Sequence, residues 1–233
     1  MDEVEKRLTA EIQNDHPSIV ALRRYFHMHP EFAREEFNTA KKIEDELDAT
    51  GIAHKRVGET GVYAEIRGTK PGKKTIVLRA DIDALPIQET HACEYMSTVP
   101  GKMHACGHDA HTAMGLGTAK LLNDIKDTFS GTVKIAFQPA EEIGAGAKQF
   151  VASGQIDDID ESFAIHVNSS LPVGTFAVQG GPVNASCDIF KIKITGKSAH
   201  VGRPHLGHDA LVTASETVVA LQTIVAREIN PGD

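Results

Sequence analysis

Apolar positions along this chain change period twice, and those changes divide it. Ile19, Leu22, Arg23 and Phe26 fall at helical spacing behind Pro17, a residue that a first helical turn tolerates. A second helix is predicted from about Asn38 to Thr50, with Asn38 as its cap and Gly51 as its stop. The period then shortens. Val62–Ile66 and Thr75–Leu78 read as short strands separated by the turn-like Gly68-Thr69-Lys70-Pro71-Gly72. His111–Ile125 reads as a mostly apolar helix, Thr132–Phe137 as a strand, Gly146–Ser153 as a short helix and Ser162–Val167 as another strand. Strands alternating with helices predict an α/β domain, a mainly parallel sheet with helices on both faces.

The second change falls near Gly180-Gly181-Pro182, where a domain boundary is expected. Residues 1–180 would form the larger α/β domain, and residues 181–233 the start of a smaller α+β domain. From Cys187 to Thr195 apolar and polar residues alternate, with Phe190, Ile192 and Ile194 on one face and Lys191 and Lys193 on the other, which predicts a half-buried strand with one wet side. A helix is predicted from Asp209 to Arg227, striped by Leu211, Ala214, Val218, Leu221 and Val225 and stopped by Asn230-Pro231-Gly232-Asp233. One strand and one helix cannot close a core, since a sheet needs about three strands for independent stability. This segment is therefore expected to pack on something else or to continue into a longer chain.

Composition narrows the class. The 233 residues carry 24 Lys and Arg against 32 Asp and Glu, a net charge of −8, which argues against a nucleic-acid partner. The chain is 41% hydrophobic and 24% charged, as ordinary globular proteins are, and no apolar run approaches a membrane span. Met1-Asp2-Glu3-Val4-Glu5 opens with acid where an export signal needs base. Three cysteines do not suggest a disulfide framework, and Cys93 and Cys187 read as structural. A soluble, cytoplasmic protein is expected. Twelve histidines, several beside Cys, Asp and Glu, stand out.

Four clusters of these residues fall where an α/β sheet binds ligands. Asp81 and Asp83 follow the strand Thr75–Leu78, Glu141 and Glu142 follow Thr132–Phe137, and His166 sits at the end of the strand from Ser162. Cys106 and His108 lie in the loop before the helix at His111. Ligands in such sheets bind outside the carboxyl ends of the strands. Each cluster alone has an ordinary explanation: a buried thiol, a core histidine, turn-bonding aspartates, acids at a helix entrance. None of these explains why all four occupy such positions. A thiol, imidazoles and carboxylates together suit zinc, manganese or cobalt, whereas calcium and magnesium would not want Cys106. Adjacent glutamates in an extended segment point apart, so one can ligate while the other acts as general base, and a spare acid would allow two ions to share a water. A Cys106–His108 nucleophile pair is disfavoured, because residues two apart rarely meet productively and the nearby acids would raise the thiol pKa.

At these residues the chain resembles a known family. The motifs are Arg24-Tyr25-Phe26-His27-Met28-His29-Pro30-Glu31, Arg79-Ala80-Asp81-Ile82-Asp83-Ala84-Leu85-Pro86, Met103-His104-Ala105-Cys106-Gly107-His108-Asp109, Phe137-Gln138-Pro139-Ala140-Glu141-Glu142, Ile165-His166-Val167, and Gly196-Lys197-Ser198-Ala199-His200 through Pro204-His205. They are similar, in order and spacing, to those of the co-catalytic metallopeptidases that include aminoacylases, hippurate hydrolase, N-acetyl-diaminopimelate deacetylase and the indole-acetyl-amino-acid hydrolases. The resemblance implies a two-metal hydrolase, with manganese or zinc, that cleaves the amide of a small N-acyl amino acid. It implies Cys106, His108, Glu142 and His166 as ligands, Glu141 as general base and Asp83 as an orienting acid with Asp81 beside it. His200 would reach an active site from a dimerising lid and stabilise the oxyanion, whereas His205 and His208 are expected at the surface or in the lid. Members of the family continue well beyond residue 233, through the rest of the lid and a further metal-binding histidine. The chain is therefore expected to be the N-terminal part of a longer enzyme, homodimeric through its lid. The alternative is a truncated, non-catalytic remnant that still binds metal.

Overall fold

A computed structural model describes residues 3–181, 183 and 189–228. It divides into two compact units, Met1–Ser170 and Leu171–Asp233.

In the first unit a 26-residue helix, α1 (Glu3–Met28), is followed by α2 (Phe37–Ala49), β1 (Ala53–Val57), β2 (Gly61–Arg67), β3 (Lys70–Asp81), α3 (His108–Asp124), β4 (Ser130–Gln138), α4 (Gly146–Ala152) and β5 (Glu161–Ala164). The strands form one sheet in the order β1-β2-β4-β3-β5. The α/β expectation holds, but the sheet is mixed. β3 runs parallel to β4 and β5, whereas β2 is antiparallel to both β1 and β4. Three residues join β1 to β2, a connection too short for anything but an antiparallel pair. β2 and β3 are not neighbours, because β4 inserts between them.

The pleat sorts the core into two layers. Val62, Ala64 and Ile66 of β2, Ile135 and Phe137 of β4 and Ala80 of β3 face Phe26, Ala40, Ile43, Leu47, Leu116 and Ala119 on α1, α2 and α3. On the opposite side Tyr63, Val77 and Ala136 meet Phe150 of α4, with Ile156 and Ile159 against them. Helices therefore cover both faces, and successive residues of β2 and β4 are buried in turn.

Several boundaries depart from the sequence reading. Pro17 lies inside α1, not in its first turn. Pro17 and Gln13, whose carbonyl it cannot bond, are both exposed, so water can satisfy the missing hydrogen bond. β1 went unread, since Ala53-His54-Lys55-Arg56-Val57 is an edge strand with only Val57 buried. β3 starts at Lys70, inside the run expected to be a turn.

Asn38 is not the cap of α2 either. The helix begins after Glu36, and Glu31 supplies the cap from outside: its carboxylate accepts the Asn38 and Thr39 backbone N–H groups at 3.2 and 2.8 Å and the Asn38 amide at 2.7 Å. Gly51, at φ 67°, ends the helix as expected. Glu31→Ala is expected to lower the unfolding free energy by about 1 kcal/mol, the usual loss for a helix cap, with Glu31→Gln recovering part of it in urea titrations.

In the second unit α5 (Ala210–Thr223) is capped by Asp209, which accepts from Leu211 and Val212 N–H, and a π turn, Ile224–Glu228, follows. The strand expected over Cys187–Thr195 does not form across the described residues 189–195, and no other described residues offer them a strand to complete a ladder. Cys187 itself, the boundary residue Pro182, the Val225 side chain and the stop at Asn230–Asp233 lie outside what is described. Leu211 and Val218 of the α5 stripe are exposed. No helix among the described residues is long and apolar enough to cross a membrane.

Candidate metal centre

Because β3, β4 and β5 are parallel neighbours, their carboxyl ends lie side by side. Asp81 ends β3, and Asp83 stands two residues beyond it. Glu141 and Glu142 follow the end of β4, and His166 lies two residues past β5. Gly107, at φ 90°, turns the preceding loop so that α3 opens with His108. The four clusters singled out in the sequence thus meet at one edge of the sheet. Cys106, His108 and His166 lie close enough to share an ion, as do His108, Glu141 and Glu142, and also Asp81, His108 and His111.

Hydrogen bonds fix the tautomers. Nδ1 of His108 faces two acceptors, the Asp83 carbonyl at 2.9 Å and its Oδ1 at 3.2 Å, so it carries the proton. Its Nε2 faces carboxylates, 3.5 Å from Asp81 Oδ2 and 3.9 Å from both Glu141 Oε2 and Glu142 Oε1. His166 repeats the pattern: Nδ1–H donates to the Val167 carbonyl at 2.7 Å, and Nε2 lies 3.4 Å from Cys106 Sγ. A second ring nitrogen engaged by a carbonyl or carboxylate is how metal-bound histidines are oriented. His108 Nε2 and Glu142 Oε1 are buried and lack hydrogen-bond partners among the described residues. Unsatisfied buried polar atoms are rare, and a cation between them would remove the penalty. The donor set fits a divalent transition ion.

Electrostatics agree. Burial disfavours charge on His108, but the Asp83 hydrogen bond and the charges of Asp81, Asp83 and Glu142 outweigh it and raise its pKa. Burial, with Asp83 and Glu141 nearby, raises Glu142. Burial and the adjacent Glu142 and Asp81 push the Cys106 thiol up to about 12, so without a cation it is no nucleophile. Arg79 offsets part of the negative charge, 2.8 Å from Asp81 Oδ2 and 3.6 Å from Glu141 Oε1. Asp83 ties the elements together, since its Oδ2 accepts the Glu142 N–H at 3.0 Å.

The sequence reading passed over His111. Its Nε2 accepts the Val167 N–H at 2.9 Å, so Nδ1 bears the proton and donates to Asp81 Oδ1 at 2.5 Å. It thereby links the end of β3 to the peptide beside His166. Its place one turn after His108, on the same helix face, was the available signal. On α1, buried His27 bridges Asp109 at 2.8 Å and Glu89 at 3.2 Å, while burial drives His104 down to about 4 and keeps it neutral. His200 belongs to the second unit, where it is exposed and its Nδ1 accepts the Gly202 N–H. His205 and His208 are exposed, and Cys93 is a half-buried free thiol.

Comparison with known proteins bears on this site. The chain is 46% identical over 214 residues to N-acetyl-L-cysteine deacetylase of Bacillus subtilis, covering 91% of this chain and 51% of that protein. It is 44% identical over 235 residues to thermostable carboxypeptidase 2 of Saccharolobus solfataricus, covering 99% and 59%. The solved structure of the Bacillus subtilis YXEP protein, described as a dinuclear metal-binding peptidase of family M20, superposes with a TM-score of 0.70 at 45% identity, over 73% of this chain and 48% of that one. The chain therefore spans half to three-fifths of the length of these curated relatives. The model of Peptidase family M20/M25/M40 matches residues 77–232, from inside β3 through α5, and the chain belongs to that family.

Proposed function

We propose that this chain carries the ion-binding and proton-transferring half of a metal-dependent amidohydrolase that cleaves the amide of N-acyl amino acids. The observation that carries the reading is the buried His108 Nε2, without a hydrogen-bond partner among the described residues and 3.9 Å from both Glu141 and Glu142. Cys106, His108, Glu142 and His166 would hold two divalent ions, manganese or zinc. Bound there, such ions lower the pKa of a water and polarise an acyl carbonyl. Glu141 is half-exposed and held loosely by Arg79, and it takes the proton from the attacking water and gives it to the leaving amine. Asp83 fixes the His108 tautomer and the Glu142 backbone, and Asp81 anchors His111 and Arg79. Residues 1–180 act as the catalytic domain. Residues 181–233 begin a lid that pairs two copies in the cytoplasm and supplies His200 to the oxyanion. Neither nucleic acid nor membrane takes part.

The deacetylase relative supports an N-acyl amino acid as substrate, and the carboxypeptidase relative supports a peptide as the second choice. The test is to strip the chain with chelator, reload it with manganese or zinc, and count ions by mass spectrometry while following amine release. About two ions per chain, and faster release from an N-acetyl amino acid than from an N-blocked dipeptide, are expected. A chain that retains no ion contradicts the reading, and ions without hydrolysis select the non-catalytic alternative.

A further inference from the structure

Glu36 is a carboxylate at 0% exposure, far in sequence from every residue given a role in the proposed reaction. Its Oε2 accepts the Thr60 hydroxyl at 2.8 Å, and its Oε1 accepts the Ala140 backbone N–H at 2.8 Å. Ala140 is itself unusual. It has φ 51°, in the left-handed region that residues with a Cβ avoid, and only one other non-glycine residue among those described, Arg34, has positive φ. Ala140 immediately precedes Glu141 and Glu142. Its carbonyl is also engaged, accepting from Ala145 and Gly146 N–H at 3.1 and 3.3 Å. Such strain persists only where the surroundings impose it.

We propose that Glu36 is a positioning residue, whose buried carboxylate holds Ala140 left-handed and so turns Glu141 and Glu142 into the metal centre. The inference rests on the proposed role of that glutamate pair. An extended or right-handed Ala140 would rotate the following peptide and swing both side chains away from His108 and Asp83. Gly61 adds to the constraint, since a Cβ there would lie 3.2 Å from Pro139 Cδ and 3.1 Å from the Phe150 ring. The segment before Ala140 therefore has little room to yield.

The test uses the 233-residue chain labelled with 13C- and 15N-alanine. In the metal-free parent, the Ala140 carbon shifts should report the left-handed backbone and its amide should exchange slowly. Glu36→Gln keeps an acceptor for the Ala140 N–H and should leave both unchanged. Glu36→Ala should move the Ala140 shifts out of the left-handed range and weaken cobalt binding at least about tenfold, the usual scale for loss of an outer partner of a metal ligand. Ala140→Gly in the Glu36→Ala background makes the left-handed conformation cheap and should restore most of the affinity. Leu47→Ala empties the core under α2 without touching Ala140, and it should lower the melting temperature yet bind cobalt as the parent does. Ala140 shifts that stay parental in Glu36→Ala overturn the proposal, and so does unchanged cobalt affinity when they move. A parent that binds no cobalt overturns the metal reading instead, and the Ala140 shifts then decide on Glu36 by themselves.

Discussion

Glu141→Gln should lower amide hydrolysis by about 10²- to 10⁴-fold, the range attributed to a positioned general base, while leaving ion content at the parental level. The two halves of this expectation come from different contacts. Glutamine has nearly the same volume and keeps one oxygen toward Arg79, 3.6 Å away in the parent, so the surroundings need not rearrange. It cannot accept a proton at neutral pH. Glu142, by contrast, presents a buried unpartnered oxygen and has its backbone fixed by Asp83, so Glu142→Gln should release ion as well as activity. Parallel measurements of turnover and bound metal separate the neighbours. Parental turnover in Glu141→Gln would remove it from the base role, and loss of ion in that variant would exchange the two assignments.

Phe137→Ala should reduce the unfolding free energy of the metal-free chain by about 3–5 kcal/mol, a fifth or more of the roughly 5–15 kcal/mol that a native domain usually has. The ring is fully buried at the centre of the α1–α2–α3 layer. It lies so close to α3 that a Cβ on Gly115 would sit 2.8 Å from Phe137 Cε1. Its removal would leave a cavity that rigid neighbours cannot fill, between the strand leading to Glu141 and the helix beginning at His108. Urea unfolding followed by circular dichroism should show an earlier midpoint with unchanged slope. A loss below about 1 kcal/mol would mean that α3 collapses onto the sheet, and the ion-binding geometry should then change instead.

The site was more legible in the sequence than the sheet around it. Asp81, Asp83, Cys106, His108, Glu141, Glu142 and His166 could be placed together because each follows an apolar run or precedes one, and β3, β4 and β5 are parallel where those runs end. Periodicity reports which residues face a core and says nothing about which strand lies beside which. The insertion of β4 between β2 and β3 was therefore invisible, as was the antiparallel half of the sheet. The carboxylates of Glu31 and Glu36 act by accepting backbone N–H groups, and the Ala140 N–H that Glu36 accepts lies more than a hundred positions away, which no local pattern encodes. His111 resembled one more polar residue on a helix, and only the geometry shows both ring nitrogens in use. The alternating run Phe190–Ile194 had the right pattern for a strand, but a pattern does not supply a neighbour to pair with.

The packing of α1 has a consequence for biosynthesis. Asp15 receives Lys120 at 2.7 Å from 105 residues downstream, and Arg7 reaches Asp127 at 2.9 Å. The residues that α1 pairs with are thus translated about a hundred positions after it. At ordinary elongation speeds of about 5–20 residues per second, α1 waits on the order of 5–20 s outside the ribosome before α3 emerges. During that interval Leu22 and Phe26 lack α3, and the strand β4 that joins β2 to β3 in the sheet is still to come. Nascent chains arrested before residue 120 should be held by ribosome-associated chaperones and cut readily by protease within α1, and those arrested well past Gln138 should resist.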